Sequence, residues 1–159
     1  MKKRISFIGA ILSLIPLVQP LLIKTSVVIS SAALMLSVPK KAIAESSSAI
    51  FYYNRGFDRA AEGDHYGAIA DFTKAIQINP NDDDAFYNRG NSKSIIKDYY
   101  GSIYDYTNAI EIDSSQSDVF INRGLSRQNI GDKEGACFDW EKASSLGDKD
   151  AIQLVRNHC

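Results

Sequence analysis

With 159 residues and a formal charge of −1, the chain is long enough for one domain and a modest appendage, but its charge is unevenly placed. Six of its 18 basic residues (Lys2, Lys3, Arg4, Lys24, Lys40 and Lys41) fall in residues 1–44, which hold no acid, so residues 45–159 set 12 basic against 19 acidic side chains, a net of −7. So acidic a body lacks the attraction for phosphates on which nucleic-acid binding rests, and that class of partner is excluded.

Residues 1–44 have the layout of an export signal. "MKKR" gives the positive start, residues 5–23 and 27–38 are apolar runs, Pro39 breaks them, and Ala42-Ile43-Ala44 offers a small-x-small cleavage site. Cleavage after Ala44 would deliver a body beginning at Glu45 across the inner membrane. The alternative is an uncleaved anchor, because residues 5–23 are just long enough to cross a bilayer, although Pro16, Gln19 and Pro20 interrupt them. No cysteine precedes Cys137, so an N-terminal lipidated cysteine is ruled out.

Beyond this segment Asn-Arg-Gly begins at Asn54, Asn88 and Asn122, a step of 34 residues that divides the chain into units 49–82, 83–116 and 117–150. Each unit splits into two helical halves at a two-residue break: Gly63-Asp64, Lys97-Asp98 or Gly131-Asp132. Second halves carry a helical apolar stripe, as in Ile69, Phe72, Ala75 and Ile76. Pro80 and the acidic run Asp82–Asp84 end one helix and cap the next. Gly56, Gly90 and Gly124 fall mid-helix, where glycine costs about 1 kcal/mol against alanine. Close approach of a partner helix explains them. Gly67, Gly101 and Gly135, beside Ala68, Ser102 and Ala136, are expected to complete the interlock with Phe72, Tyr106 and Trp140. The fold class that follows is all-α, a stack of antiparallel helix pairs.

In residues 49–150 the pattern resembles the tetratricopeptide repeat family. Tyr52, Phe86 and Phe120 match its first aromatic, the mid-helix glycines its Gly, and Ala68, Ser102 and Ala136 its Ala. Phe72, Tyr106 and Trp140 match the second aromatic, Ala75, Ala109 and Ala143 the next Ala, and Pro80 the terminal Pro, which the other units lack. The resemblance implies a right-handed superhelix whose first helices line a concave groove for a partner segment. The matching positions are Tyr53, Tyr87 and Ile121, then Phe57, Asn91 and Leu125, then Ala60, Ser94 and Gln128. None is charged, so an apolar or aromatic segment held by side-chain burial is expected, not a terminal carboxylate held by Lys and Arg. Tyr53 and Tyr87 have a plainer alternative, as filler between units. The NRG-rich variety is similar to repeats common in cyanobacteria, which sets a thylakoid lumen beside the periplasm as a destination.

Two departures from the family pattern recur. Its Leu is Arg55, Arg89 and Arg123, and its Tyr is Arg59, Lys93 and Arg127. Asp71, Asp105 and Asp139 follow each Arg by sixteen residues. Each Arg is expected to lie across its helix pair, stem on the aromatics, and meet that Asp as an exposed pair worth about 0–1 kcal/mol. Arg89→Leu is then expected to raise stability.

After Gly147, residues 148–159 read as a capping helix with Ala151, Ile152, Leu154 and Val155 on one face. A reversal at Gly147 brings Cys137 and Cys159 near each other, and an exported chain favours their bridge; the alternative is a buried Cys137 and a frayed Cys159. Catalytic constellations are absent. His65, read as an exposed helix start, and His158 are far apart, His158 with Cys159 does not complete a zinc site, and Asp82–Asp84 lacks a calcium loop's spacing. The tyrosines and phenylalanines are read largely as core. No enzyme, cofactor or metal is expected. The expectation is an exported scaffold or adaptor for a protein partner; the alternative is a membrane-anchored assembly factor. Self-association through an exposed end unit is open to either.

Overall fold

The computed structural model describes residues 40–159, with side chains from residue 44 onward. The expectations for the export segment lie mostly outside the described residues. Seven helices follow in order: α1 (Lys40–Ala61), α2 (His65–Ile78), α3 (Asp83–Ile95), α4 (Tyr99–Ile112), α5 (Ser117–Asn129), α6 (Lys133–Ser145) and α7 (Lys149–His158). Each packs on the helix before and the helix after it, giving three hairpins and a final helix.

Each hairpin turns on one left-handed residue: Gly63 (φ 85°), Lys97 (φ 65°) and Gly131 (φ 85°), with Gly147 (φ 93°) before α7. At the second hairpin the Asp98 N–H reaches back to the Lys93 carbonyl at 2.9 Å, which ties off the end of α3. Asp64, Asp98 and Asp132 then cap the next helix, each accepting the N–H of Gly67, Gly101 or Gly135. A Cβ on these three glycines would strike the capping carboxylate. They serve the cap, so the interlock expected of them is corrected. The mid-helix glycines do make the close approach: a Cβ on Gly56 would stand 3.0 Å from the Phe72 ring, and one on Gly90 2.8 Å from Tyr106.

The core runs between hairpins. Ala75, Ile76, Ala85, Phe86, Tyr106, Ala109 and Val119 form one buried cluster, and Phe120, Ala143 and Ala151 form a second. Both ends of the stack differ from its middle. Phe51 is 57 % exposed, whereas Ala85 and Val119 at the equivalent positions are buried by the preceding hairpin. Its ring instead lies under the Arg55 guanidinium, 5.1 Å from centroid to carbon. Asp58 is exposed where Ser92 and Ser126 are buried, so the first face ends in a charge. At the other end α7 seats Ala151 and half-buries Leu154 and Val155, while Ile152 stays 41 % exposed, contrary to expectation. A Cys137–Cys159 disulfide, Cα to Cα 5.7 Å, ties the last residue to α6.

The first helix differs most from expectation. It begins at Lys40, not near residue 49, and runs through the expected cleavage site at Ala44. The Ser47 and Ser48 hydroxyls bond back to the Ala44 carbonyl at 2.9 and 2.8 Å, so these serines sit within the helix and do not cap it.

Candidate functional site

The Asn-Arg-Gly triplets beginning at Asn88 and Asn122 are joints of the stack. The Asn88 amide donates to the Tyr53 hydroxyl at 3.1 Å, and the Asn122 amide donates to the Tyr87 hydroxyl at 3.0 Å. Each bond crosses from one hairpin to the next. Asn91 is engaged as well, since its oxygen accepts from the Tyr106 hydroxyl at 2.8 Å and from Asn122 at 3.3 Å. Of the expected groove residues, Tyr53, Tyr87 and Asn91 therefore have hydrogen-bonding groups committed to joining the hairpins. Ile121 is half-buried against the second core cluster.

Behind this ladder lies a row of ion pairs. Arg89 gives Nε and Nη2 to the two oxygens of Asp105 at 2.9 and 2.7 Å, and Lys93 adds a third contact at 2.9 Å. Arg123 and Arg127 repeat this on Asp139, as Arg55 and Arg59 do on Asp71. Arg89 and Arg123 also extend Nη1 to Thr73 and Thr107 of the preceding hairpin, both at 3.1 Å. The pairs were expected at the surface; instead Asp71, Asp105 and Asp139 are all but fully buried. Two bases per carboxylate satisfy its lone pairs and make the burial tolerable. Arg59, Lys93 and Arg127 were visible in the sequence as the second bases, twelve residues before each Asp.

What remains open toward a partner is apolar. Phe57 is 55 % exposed, Ile95 60 % and Leu125 36 %. Ile95, which the groove positions read from sequence omit, joins Asn91, Ser94, Tyr106, Asn122 and Leu125 around an open depression of about 370 Å³. Gln128 stands apart, its amide 3.4 Å from His158 Nδ1 beside a smaller hollow next to Cys137 and Trp140. Burial and the neighbouring Asp84 raise the Tyr53 hydroxyl above its ordinary pKa, and burial with Asp118 nearby does the same to Tyr87.

Two expectations outside the groove are corrected. Tyr66, Tyr100, Tyr104 and Phe138 are strongly exposed on the second helices, so the aromatics are not all core. His65 is half-buried, not exposed, and its buried Nδ1 has no hydrogen-bond partner, for which we have no account. Among the described residues no group of His, Cys, Asp and Glu could hold a metal ion.

The family profile described as "TPR repeat" matches residues 59–93, from the second base of the first hairpin to that of the second. The chain carries a tetratricopeptide repeat over these residues. The chain is similar to the second TPR domain of human RPAP3 in complex with the HSP70 peptide SGPTIEEVD, at 27 % identity over 72 % of this chain and 95 % of that one, with a TM-score of 0.65. It is also similar to the second TPR of Spaghetti (RPAP3) bound to the HSP90 peptide SRMEEVD, at 28 % identity over 67 % and 98 %, TM-score 0.64. The Arabidopsis OM64 TPR domain shares the fold alone, at 19 % identity over 70 % and 94 %, TM-score 0.67. No curated protein matches the chain.

Proposed function

We propose that this protein is a non-enzymatic scaffold that holds a segment of a partner protein in the groove of α1, α3 and α5. The observation that carries this is the exposure of Phe57, Ile95 and Leu125 on helices whose polar groups are already bonded to one another. Apolar anchors on a surface with few free polar partners favour side-chain burial as the source of affinity. The peptide complexes of the RPAP3 domains support a peptide as the occupant. Those peptides end in EEVD, and none of Tyr53, Phe57, Tyr87, Asn91, Ile121, Leu125 and Gln128 is basic, so we do not extend that acidic ligand to this groove. Phe57→Asp and Leu125→Asp should each abolish co-purification of the partner while leaving the helical signal intact. Retention by both variants would sink the groove reading.

For location, the export reading has the body released after Ala44 into a periplasm or thylakoid lumen, where the Cys137–Cys159 bridge is maintained. The alternative is an anchored assembly factor that keeps residues 1–44. The intact mass of natively produced protein separates them. A mass beginning at Glu45, without thiol labelling before reduction, supports export, whereas a full-length mass with two reactive thiols overturns it.

A further inference from the structure

The charges around the groove narrow the partner further, given the reading of the groove as a peptide site. Asp84 and Asp118 occupy the same position in successive first helices, 34 residues apart, and Asp82 and Asp83 precede Asp84. Asp82 caps α3 by accepting the Ala85 N–H at 3.0 Å, and Asp83 accepts from Gln116. Asp84 and Asp118 are exposed, and among the described residues neither has a cation within salt-bridge distance. They border the tyrosine row of the groove, Asp84 beside Tyr53 and Asp118 beside Tyr87. Arg55, Arg89 and Arg123 are spent on Asp71, Asp105 and Asp139 behind that row. Partial burial and the crowding by Asp83, Asp82 and Asp118 raise the Asp84 carboxyl above the usual range, the mark of negative charge without a counter-charge.

We propose that the groove selects a basic, apolar segment, whose lysine or arginine side chains meet Asp84 and Asp118 while its apolar residues fill the Ile95–Leu125 depression and cover Phe57. A cation there neutralises two carboxylates to which the described residues supply no cation, and an acidic segment meets like charge along the same edge. The apolar positions supply affinity, and the carboxylates supply selection and approach rate.

The test pans the full chain against an unbiased library of displayed twelve-residue peptides, then measures binding of the enriched sequences by fluorescence anisotropy. Enriched peptides should combine basic with apolar residues, weaken as salt rises, and lose about threefold in affinity for each of Asp84→Asn and Asp118→Asn. Enriched peptides that are acidic or uncharged, or that ignore both substitutions, overturn the charge selection and leave the groove standing. If no sequence is enriched, or if enriched sequences still bind after Phe57→Asp and Leu125→Asp, the groove reading fails together with the inference.

Discussion

Arg89 and Asp105 meet two N–H groups to two oxygens, at 2.9 and 2.7 Å, with the carboxylate wholly buried between α3 and α4. The Arg89 guanidinium also lies over the Phe86 ring, 5.4 Å from its centroid. A leucine here, the residue the family pattern carries, would strand Asp105 with Lys93 as its remaining base. Arg89→Leu should therefore destabilise the fold by about 3 kcal/mol, the reverse of what an exposed pair implies. Adding Asp105→Ala should recover much of that loss. Urea denaturation of the native chain and the two variants decides it, and a stabilised Arg89→Leu would mean that the pair behaves as an exposed one.

The ladder between hairpins predicts a graded asparagine series. Asn88→Ala and Asn122→Ala each remove a bond to the tyrosine of the preceding hairpin and should cost about 1 kcal/mol. Asn54 is exposed, no hairpin precedes it among the described residues, and it should tolerate the same change at a cost of a few tenths of a kcal/mol. Equal losses at all three positions would mean that the triplet acts within its own helix.

Lys97 holds the left-handed position that Gly63 and Gly131 hold in the other hairpins. A side chain at φ 65° is strained by about 1–2 kcal/mol, against which glycine loses more chain entropy on folding. Lys97→Gly should stabilise by about 0.5–1 kcal/mol net. The change in urea midpoint at constant slope measures it.

Acid should loosen the fold at Asp71 and Asp148. The Arg55 hydrogen bonds, helped by the charges of Arg59 and Lys74, hold Asp71 below the ordinary 3.8 of a free carboxyl. The Ala151 N–H, joined by the Ser117 hydroxyl and the Asp150 N–H, does the same for Asp148 at the start of α7. Both native-state values lie below the unfolded one, so their stabilisation is complete above the unfolded value and declines as the pH falls through the folded one. Melting temperatures between about pH 2 and 5 should fall less steeply for Asp71→Asn and Asp148→Ala than for the native chain. Unchanged slopes would exclude both groups.

Much of the site can be read from the 34-residue step, and the rest has a common reason for being hidden. Contacts within one hairpin recur at a fixed offset, so the Arg-to-Asp offset of sixteen and the glycine–aromatic approach are visible in the chain. Contacts between hairpins recur too, at 35 residues for Asn88–Tyr53 and Asn122–Tyr87, but the repeat alone does not say which residues of neighbouring units meet. The Asn88–Tyr53 bond spans 35 residues, and nothing in Tyr53 alone separates a groove residue from a joint. Ile95 escapes for another reason: it lies at the last position of α3, where only the course of the chain decides whether a side chain faces the groove or the turn.

The sequence by itself determined the number of hairpins and the Arg-to-Asp partners inside each one, because a repeat must close its own helix pair before it can stack. It also set the ends of the array: Asp58 and Phe51 stand on the first face, and Cys159 lies within reach of Cys137 on the last. Tertiary structure alone decided which polar groups are buried. Stacking removes solvent from Asp71, Asp105 and Asp139, commits Tyr53 and Tyr87 to the joints, and leaves Phe57, Ile95 and Leu125 open. Burial is a property of neighbours, and in a stack some of those neighbours belong to the adjacent repeat.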